Sequence, residues 1–310
     1  MSSRANEYAQ RFNIAKNRNK FFIASTVILV LGLLSMFIMG LNLGVDFKAG
    51  TRLDLYIGKE FSPADVESVI QEKLPDTHFT AVTPYGTHQA FTRFDQTISP
   101  EKLNEIQQAL IEKYGDQVTR QESTVDPIIA QELARKAGIA ILVAAGGIAI
   151  YVAFRFQLMV GIACAIALLH DVFIPVALFS VFRLEVDLTF IAAILTIVGY
   201  SLNDTIVIFD RIRENMRTMK SKTMEDLEHL VNLSLWQTMR RSIFTMLTVL
   251  VTAVAIVIFG SEGIRNFSLA LIFGLVSGGY SSIFIAAQIW LVLKKRELNK
   301  KRFAPAPKEE

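Results

Sequence analysis

Six long stretches of this chain carry almost no charge, and that pattern constrains the fold more than any other feature. The first runs from Phe21 to Asp46; the others run from Ala137 to Phe154, Leu158 to Phe182, Leu188 to Phe209, Ser242 to Gly260 and Phe267 to Leu293. A helix of about 20 apolar residues crosses the roughly 30 Å hydrocarbon layer. Overall composition hides this: 52% of residues are hydrophobic and 20% charged, yet the mean hydropathy is +0.38, so the apolar residues are segregated. That apolar content excludes a disordered chain, and the lone Cys164 excludes a disulfide scaffold. The uncharged runs exclude a mainly soluble nucleic-acid binder, so no nucleic-acid partner is expected, and a net charge of +3 names no other. The expected class is a polytopic α-helical membrane protein with six spans.

The first run exceeds the apolar core of about 7–15 residues in a cleaved secretory signal, and no small-x-small site follows it, which predicts an uncleaved anchor. Arg155-Phe156-Gln157 and Arg183 to Asp187 are the short links between spans two, three and four, so tight antiparallel hairpins are expected. The long connection Arg211 to Arg241 carries Arg211, Arg213, Arg217, Lys220, Lys222, Arg240 and Arg241, and charge bias places it in the cytoplasm. The basic cluster before span one and Lys294-Lys295-Arg296 after span six then share that side. Arg135 and Lys136 dissent, but they end a long translocated segment, where the charge rule is weak. The expected layout is a cytoplasmic terminus 1–20, a span 21–43, an outer domain 44–136, five spans within 137–293 with a cytoplasmic loop 211–241, and a cytoplasmic tail 294–310 that is disordered from Phe303.

The outer segment has soluble patterning. Thr51 to Gly58 alternates with strand period, and Ser62-Pro63 opens a helix with Val66, Val69, Ile70 and Leu74 on one face. His78 to Thr83 reads as a strand, Tyr85-Gly86 as a turn and Gln89 to Phe94 as the hairpin partner. Ser99-Pro100 starts a helix with Leu103, Ile106, Leu110 and Ile111 inward, and Gln117 to Thr124 closes the unit as a strand. The order predicts a small α+β ferredoxin-like domain between spans one and two, either a platform for an extended chain or a folded spacer.

Ionisable groups inside apolar spans carry the functional signal, because each costs about 2.5–3.5 kcal/mol at helix centre on insertion scales. In span four, Gly199-Tyr200-Ser201-Leu202-Asn203-Asp204-Thr205 makes Asp204 the leading candidate. Tyr200, Ser201 and Asp204 share a face, with Thr196, Asn203 and Asp210 on an adjoining stripe. Asp204 either switches charge or only holds helices together, and Asp210 lies at the helix end. His170-Asp171 in span three, four residues before Pro175, forms a second polar station, read equally as an ion site or a kinked packing contact. Arg241 reads equally as a snorkelling partner of Asp204 or a solvated anchor, while Arg240 reads as a solvated anchor. Gly199, Gly274 and Gly278 are the expected helix-contact glycines, with Gly279 and Ala144-Ala145-Gly146-Gly147 as further small residues. No phosphate-binding loop, His-x-x-x-His pair or Gly-x-Ser-x-Gly turn is present, so neither an enzyme nor an ATP-driven motor is expected.

Gly44-Val45-Asp46-Phe47 leading to Gly50-Thr51, and the fourth-span motif continuing through Asp210-Arg211-Ile212-Arg213-Glu214-Asn215, resemble the SecD/SecF family of protein-translocase accessory subunits, in its SecF-type half. The likeness also takes in Arg155-Phe156, His170-Asp171, Gln237-Thr238 and Arg241-Ser242. It implies a six-helix half of an RND-like twelve-helix assembly in the bacterial inner membrane. It also implies a heterodimer with SecD, working with the SecYEG channel, SecA and YajC, with YidC a further candidate, on unfolded preproteins. Ion gradients would supply the work, through protons or alternatively sodium, with no metal or other cofactor. On this resemblance Asp204 is the intramembrane carboxylate, Arg241 the functional arginine, and Asp46, Phe47 and Gly50 the junction motif. Two departures stand out: Lys48-Ala49-Gly50 replaces the usual Gly-Gly pair, where Ala suits left-handed dihedrals poorly, and Phe209 stands where a small Ser is common.

Overall fold

In a computed structural model of the chain, the described residues are 7–9, 11–155, 157–219 and 223–302. The expected disordered tail from Phe303 lies outside them, as do Phe156, Lys220 and Lys222. The elements are α1 (Arg18–Met39), β1 (Gly50–Tyr56), α2 (Pro63–Lys73), β2 (Thr83–Tyr85), β3 (Gln89–Phe94), α3 (Pro100–Tyr114), β4 (Thr119–Val125), α4 (Pro127–Arg155), α5 (Leu158–Val181), α6 (Leu188–Thr218), α7 (Met224–Phe259) and α8 (Arg265–Ser281). A π-helical turn, Ser282–Ala286, carries α8 into α9 (Ala287–Arg302). Two compact units result, Met1–Asn42 with Ile141–Glu310, and Leu43–Ala140.

Among the described residues six helical segments are long and apolar enough to cross a membrane, α8 and α9 together forming the last. Charge marked the apolar runs better than the helix ends. The loop expected at 211–241 is mostly helix, because α6 continues to Thr218 and α7 already begins at Met224. A capping box starts α7: Asp226 N donates to Thr223 Oγ1 at 3.1 Å and Thr223 N to Asp226 Oδ2 at 2.9 Å. Leu227, Leu230, Val231 and Leu235 then bury one face with Ile212 of α6, so tertiary packing extends both helices beyond the apolar runs. Buried Asn232 ties the N-terminal segment to α7, accepting from Ile14 N at 2.9 Å and donating to Ala9 O at 2.8 Å.

Small residues set the approach of α8 to α6. A Cβ on Gly274 would lie 2.2 Å from Ile197 Cδ1, and one on Gly278 would lie 3.2 Å from Ser201 Cβ. Gly274→Ala should therefore destabilise the chain by about 1–3 kcal/mol through overpacking, read as a lower unfolding temperature in detergent. Gly199, Gly146 and Gly147 face open space instead, so Gly199 is not a contact glycine within this chain. The expected hairpin of α4 with α5 packs near its link, where buried Val152 joins the cluster that holds Val160, while the most apolar window of α4 has no buried residue.

In the inserted unit the sheet order is β2-β3-β1-β4, with antiparallel neighbours throughout. β1 pairs Thr51 with Phe94 on one side and Gly50 with Val125 on the other. Its inward residues Leu53 and Leu55 meet Val66 and Ile70 of α2 and Leu103, Ile106 and Leu110 of α3, which is the ferredoxin-like arrangement. His78 to Thr83 is not a strand: only an isolated bridge joins Phe79 to Phe94, and β2 begins at Thr83. Side-chain bonds stand in for part of the ladder there, with Arg93 N donating to Thr80 Oγ1 at 3.1 Å and Thr92 Oγ1 to Thr80 O at 2.6 Å. Truncating the fully buried Ile106 to Ala should cost about 2–5 kcal/mol, measurable by denaturant titration.

Candidate functional site

Among the described residues, two buried carboxylates, Asp171 and Asp204, lie within the spanning helices, in different settings. Asp171 of α5 is wholly buried at 0% exposure. Its Oδ2 accepts from Ser201 Oγ of α6 at 2.5 Å and Ser281 Oγ of α8 at 2.6 Å, and its Oδ1 accepts from Ser277 Oγ at 3.0 Å. His170 Nδ1 lies 3.2 Å from the same Oδ1. The close approach of α8 at Gly274 and Gly278 makes these bonds reachable for short serine side chains. Pro175, inside α5, lacks the N–H that the Asp171 carbonyl would otherwise receive, so polarity concentrates here. Thr205 and Ser282 extend the network, with hydroxyls 2.8 Å apart. Ser277, Ser281 and Ser282 had not been singled out from the sequence; the available signal was two serines one turn apart, flanking Gly278, in an apolar run.

Asp204 of α6 is 8% exposed, and its one hydrogen-bond donor among the described residues is Ser242 Oγ of α7, at 2.7 Å from Oδ1. Among the described residues no bridge within 4.0 Å joins it to Arg241, although that guanidinium acts on the carboxylate electrostatically. The reason is helical phase. Ser242 turns toward α6, whereas Arg241 lies on the exposed face of α7 with Thr245, Thr248 and Thr252. Tyr200 OH donates to Thr245 O at 2.5 Å, and Arg240 lies over the Phe244 ring at 5.6 Å.

Thr196, Gly199, Asn203 and Asp210 are exposed along α6. They do not converge on Asp204 within this chain; they form an outward polar stripe beside the Arg241 face of α7. A carboxylate with a single hydroxyl partner thus lies next to polar surface, while its neighbour Asp171 is held by three hydroxyls.

At the junction motif, Asp46 and Phe47 lie in the helical turn Val45–Lys48, whose last bond runs from Ala49 N to Val45 O at 3.0 Å. Ala49 has φ 68° and ψ 171°, a region populated essentially by glycine. Gly50 has φ 114°, and a Cβ there would lie 2.1 Å from Phe94 O. The chain therefore keeps the backbone path of a Gly-Gly pair with one alanine in it.

The sequence matches the family described as "Protein export membrane protein SecD/SecF, C-terminal" over residues 105–296, and the "SecD/SecF GG Motif" over residues 34–55. It is 44% identical to the protein translocase subunit SecF of Alicyclobacillus acidocaldarius, over 94% of this chain and 95% of that protein. It is also 44% identical to the protein translocase subunit SecDF of Bacillus subtilis (strain 168), covering 94% of this chain and only 39% of the relative. The crystal structure of the translocon-associated membrane protein SecDF from Thermus thermophilus superposes with a TM-score of 0.81 at 33% identity, over 92% of this chain and 39% of that one. The GG-motif match falls across the strained Ala49-Gly50 turn, and the larger match takes in Asp171 and Asp204. The chain therefore belongs to the SecD/SecF family and is closely related to SecF.

Proposed function

We propose that this chain is the SecF half of a heterodimer with SecD in the bacterial inner membrane, both termini cytoplasmic and the inserted domain outside. In this reading the pair uses the proton gradient, or alternatively sodium, to promote late passage of unfolded preproteins through SecYEG, with SecA, YajC and YidC as the other components. Asp204 alternates its protonation as ions pass at the interface with SecD; the helices repack, and the inserted domain moves as the lever that holds an emerging chain. Arg241, Asn203 and Asp210 line that interface, and Asp171 with His170 is a second polar station behind it.

The observation that carries this reading is Asp204 itself: a buried carboxylate with one hydroxyl donor, beside outward-facing Thr196, Asn203 and Arg241 in an otherwise apolar wall. Relatives named as translocase subunits supply the process. The test is export of an arrested preprotein from membrane vesicles holding this chain and its SecD partner, with proton and sodium gradients imposed separately. Stimulation by the proton gradient is expected. Equal export with and without either gradient would overturn the coupling, leaving a structural assembly subunit.

A further inference from the structure

Between Ile194 and Ile212 the buried polar residues of α6 are Ser201, Asp204 and Thr205. Ile194, Ile197 and Val198 precede this level and Ile208 and Ile212 follow it, all buried and apolar. Ser201 and Thr205 stand one turn apart on one stripe of the helix, 4% and 2% exposed. Apolar contact has no preferred direction, whereas a hydrogen bond fixes an angle. The two hydroxyls, more than the isoleucines around them, therefore set the rotation of α6 at the level of Asp204.

Thr205 Oγ1 donates to Ser201 O at 3.1 Å, the usual back-bond of a helical threonine, and lies 2.8 Å from Ser282 Oγ. A hydroxyl carries one proton, so Ser282 supplies the proton of the second bond and Thr205 accepts it. Ser282 is wholly buried and opens the π-helical turn, an irregularity that recurs at functional sites. One turn earlier along α6, Ser201 Oγ donates to Asp171 Oδ2 of α5. α6 is thus pinned to two neighbours along one stripe. Asp204, one residue before Thr205, points about 100° away from that stripe, to α7, where Ser242 Oγ donates to it at 2.7 Å. Asn203, one residue further back, is exposed. A small rotation of α6 would carry the carboxylate off Ser242 and toward the surface that Asn203 occupies.

We propose that Thr205 is a positioning residue for Asp204. Its bond with Ser282 holds α6 in the phase that keeps the carboxylate on Ser242, and release of that bond lets α6 turn Asp204 toward the outward stripe of Thr196 and Asn203. This role rests on Asp204 being the group that switches, yet access to Asp204 is read without a gradient or a SecD partner. Export without coupling would leave the pinning intact, and unchanged access would leave the coupling intact.

The test uses the full chain in nanodiscs and follows the rate at which dicyclohexylcarbodiimide modifies Asp204, mapped by mass spectrometry. Valine copies the branched shape of threonine without its hydroxyl, so Thr205→Val should keep the packing and speed modification about fivefold, equivalent to about 1 kcal/mol. Ser282→Ala should match it, the double variant should add nothing to either single change, and Thr205→Ser should restore the slow rate. Cys164, 3% exposed in the same core cluster, reports general loosening, and its reaction with N-ethylmaleimide should stay unchanged in every variant. If Thr205→Val misfolds, Ser282→Ala carries the comparison. A rate at Asp204 that neither substitution raises, a Thr205→Ser chain as fast as Thr205→Val, or a parallel rise at Cys164 would overturn the proposal.

Discussion

Replacing Asp204 with Asn should, on the proposed reading, leave the chain assembled with a SecD partner yet abolish gradient-stimulated export. The amide oxygen can keep the 2.7 Å bond that Ser242 Oγ donates, so the packing of α6 on α7 survives. A stability change of no more than about 1 kcal/mol is expected, the size of one neutral hydrogen bond. What the amide cannot do is gain and lose a charge. A potential of 100 mV supplies about 2.3 kcal/mol per elementary charge moved, and without a titrating group that energy has no purchase on the helices. Export from vesicles should fall to the level seen without a gradient, while pull-down of SecD stays normal. Retained stimulation would sink the role of Asp204. Loss of association would instead identify Asp204 as a structural contact. Asp171→Asn should behave differently: three hydroxyls that donate to a carboxylate would face an amide able to satisfy fewer of them, so its main effect should be on stability.

Gly50→Ala should open the inserted sheet. Its φ of 114° is costly for any residue with a Cβ, and that Cβ would sit 2.1 Å from the backbone oxygen of Phe94, which cannot rotate away. Strain of about 1–3 kcal/mol and overpacking of about 1–3 kcal/mol act together, so a loss of about 4 kcal/mol is expected. Amide hydrogen exchange of β1 in the full chain should accelerate on the order of a thousandfold. Ala49→Gly should act in the opposite sense, because it relieves a glycine-only conformation at φ 68° and ψ 171°. Relief of about 1–3 kcal/mol, less about 0.4–1 kcal/mol of chain entropy, leaves a net gain near 1 kcal/mol. Unchanged exchange in both variants would show that the turn does not hold the sheet in place.

Much of this was legible in local patterning. Gln89 to Phe94, expected as a hairpin strand, forms one with alternate residues buried; Ser62-Pro63 and Ser99-Pro100 open the two helices that cover the sheet. The His78 to Thr83 segment misled because Thr80 and Thr92 divert ladder hydrogen bonds into their hydroxyls, which no period-two pattern reveals. The 211–241 segment misled for another reason: its charges report proximity to water, and a helix with one buried face can continue through them.

By itself the chain's order of residues determined that it spans a membrane, how its inserted domain folds and which ionisable groups are buried in oil, because these follow from local periodicity and the cost of placing charge in hydrocarbon. Only tertiary structure decided what each buried acid meets. The serines on Asp171 come from 30, 106 and 110 positions away, and a single step along α7 exchanges Arg241 for Ser242 opposite Asp204. Which donor faces which carboxylate depends on the rotational phase of packed helices, set by close contacts such as Gly274 against Ile197, and phase is a property of the assembled bundle.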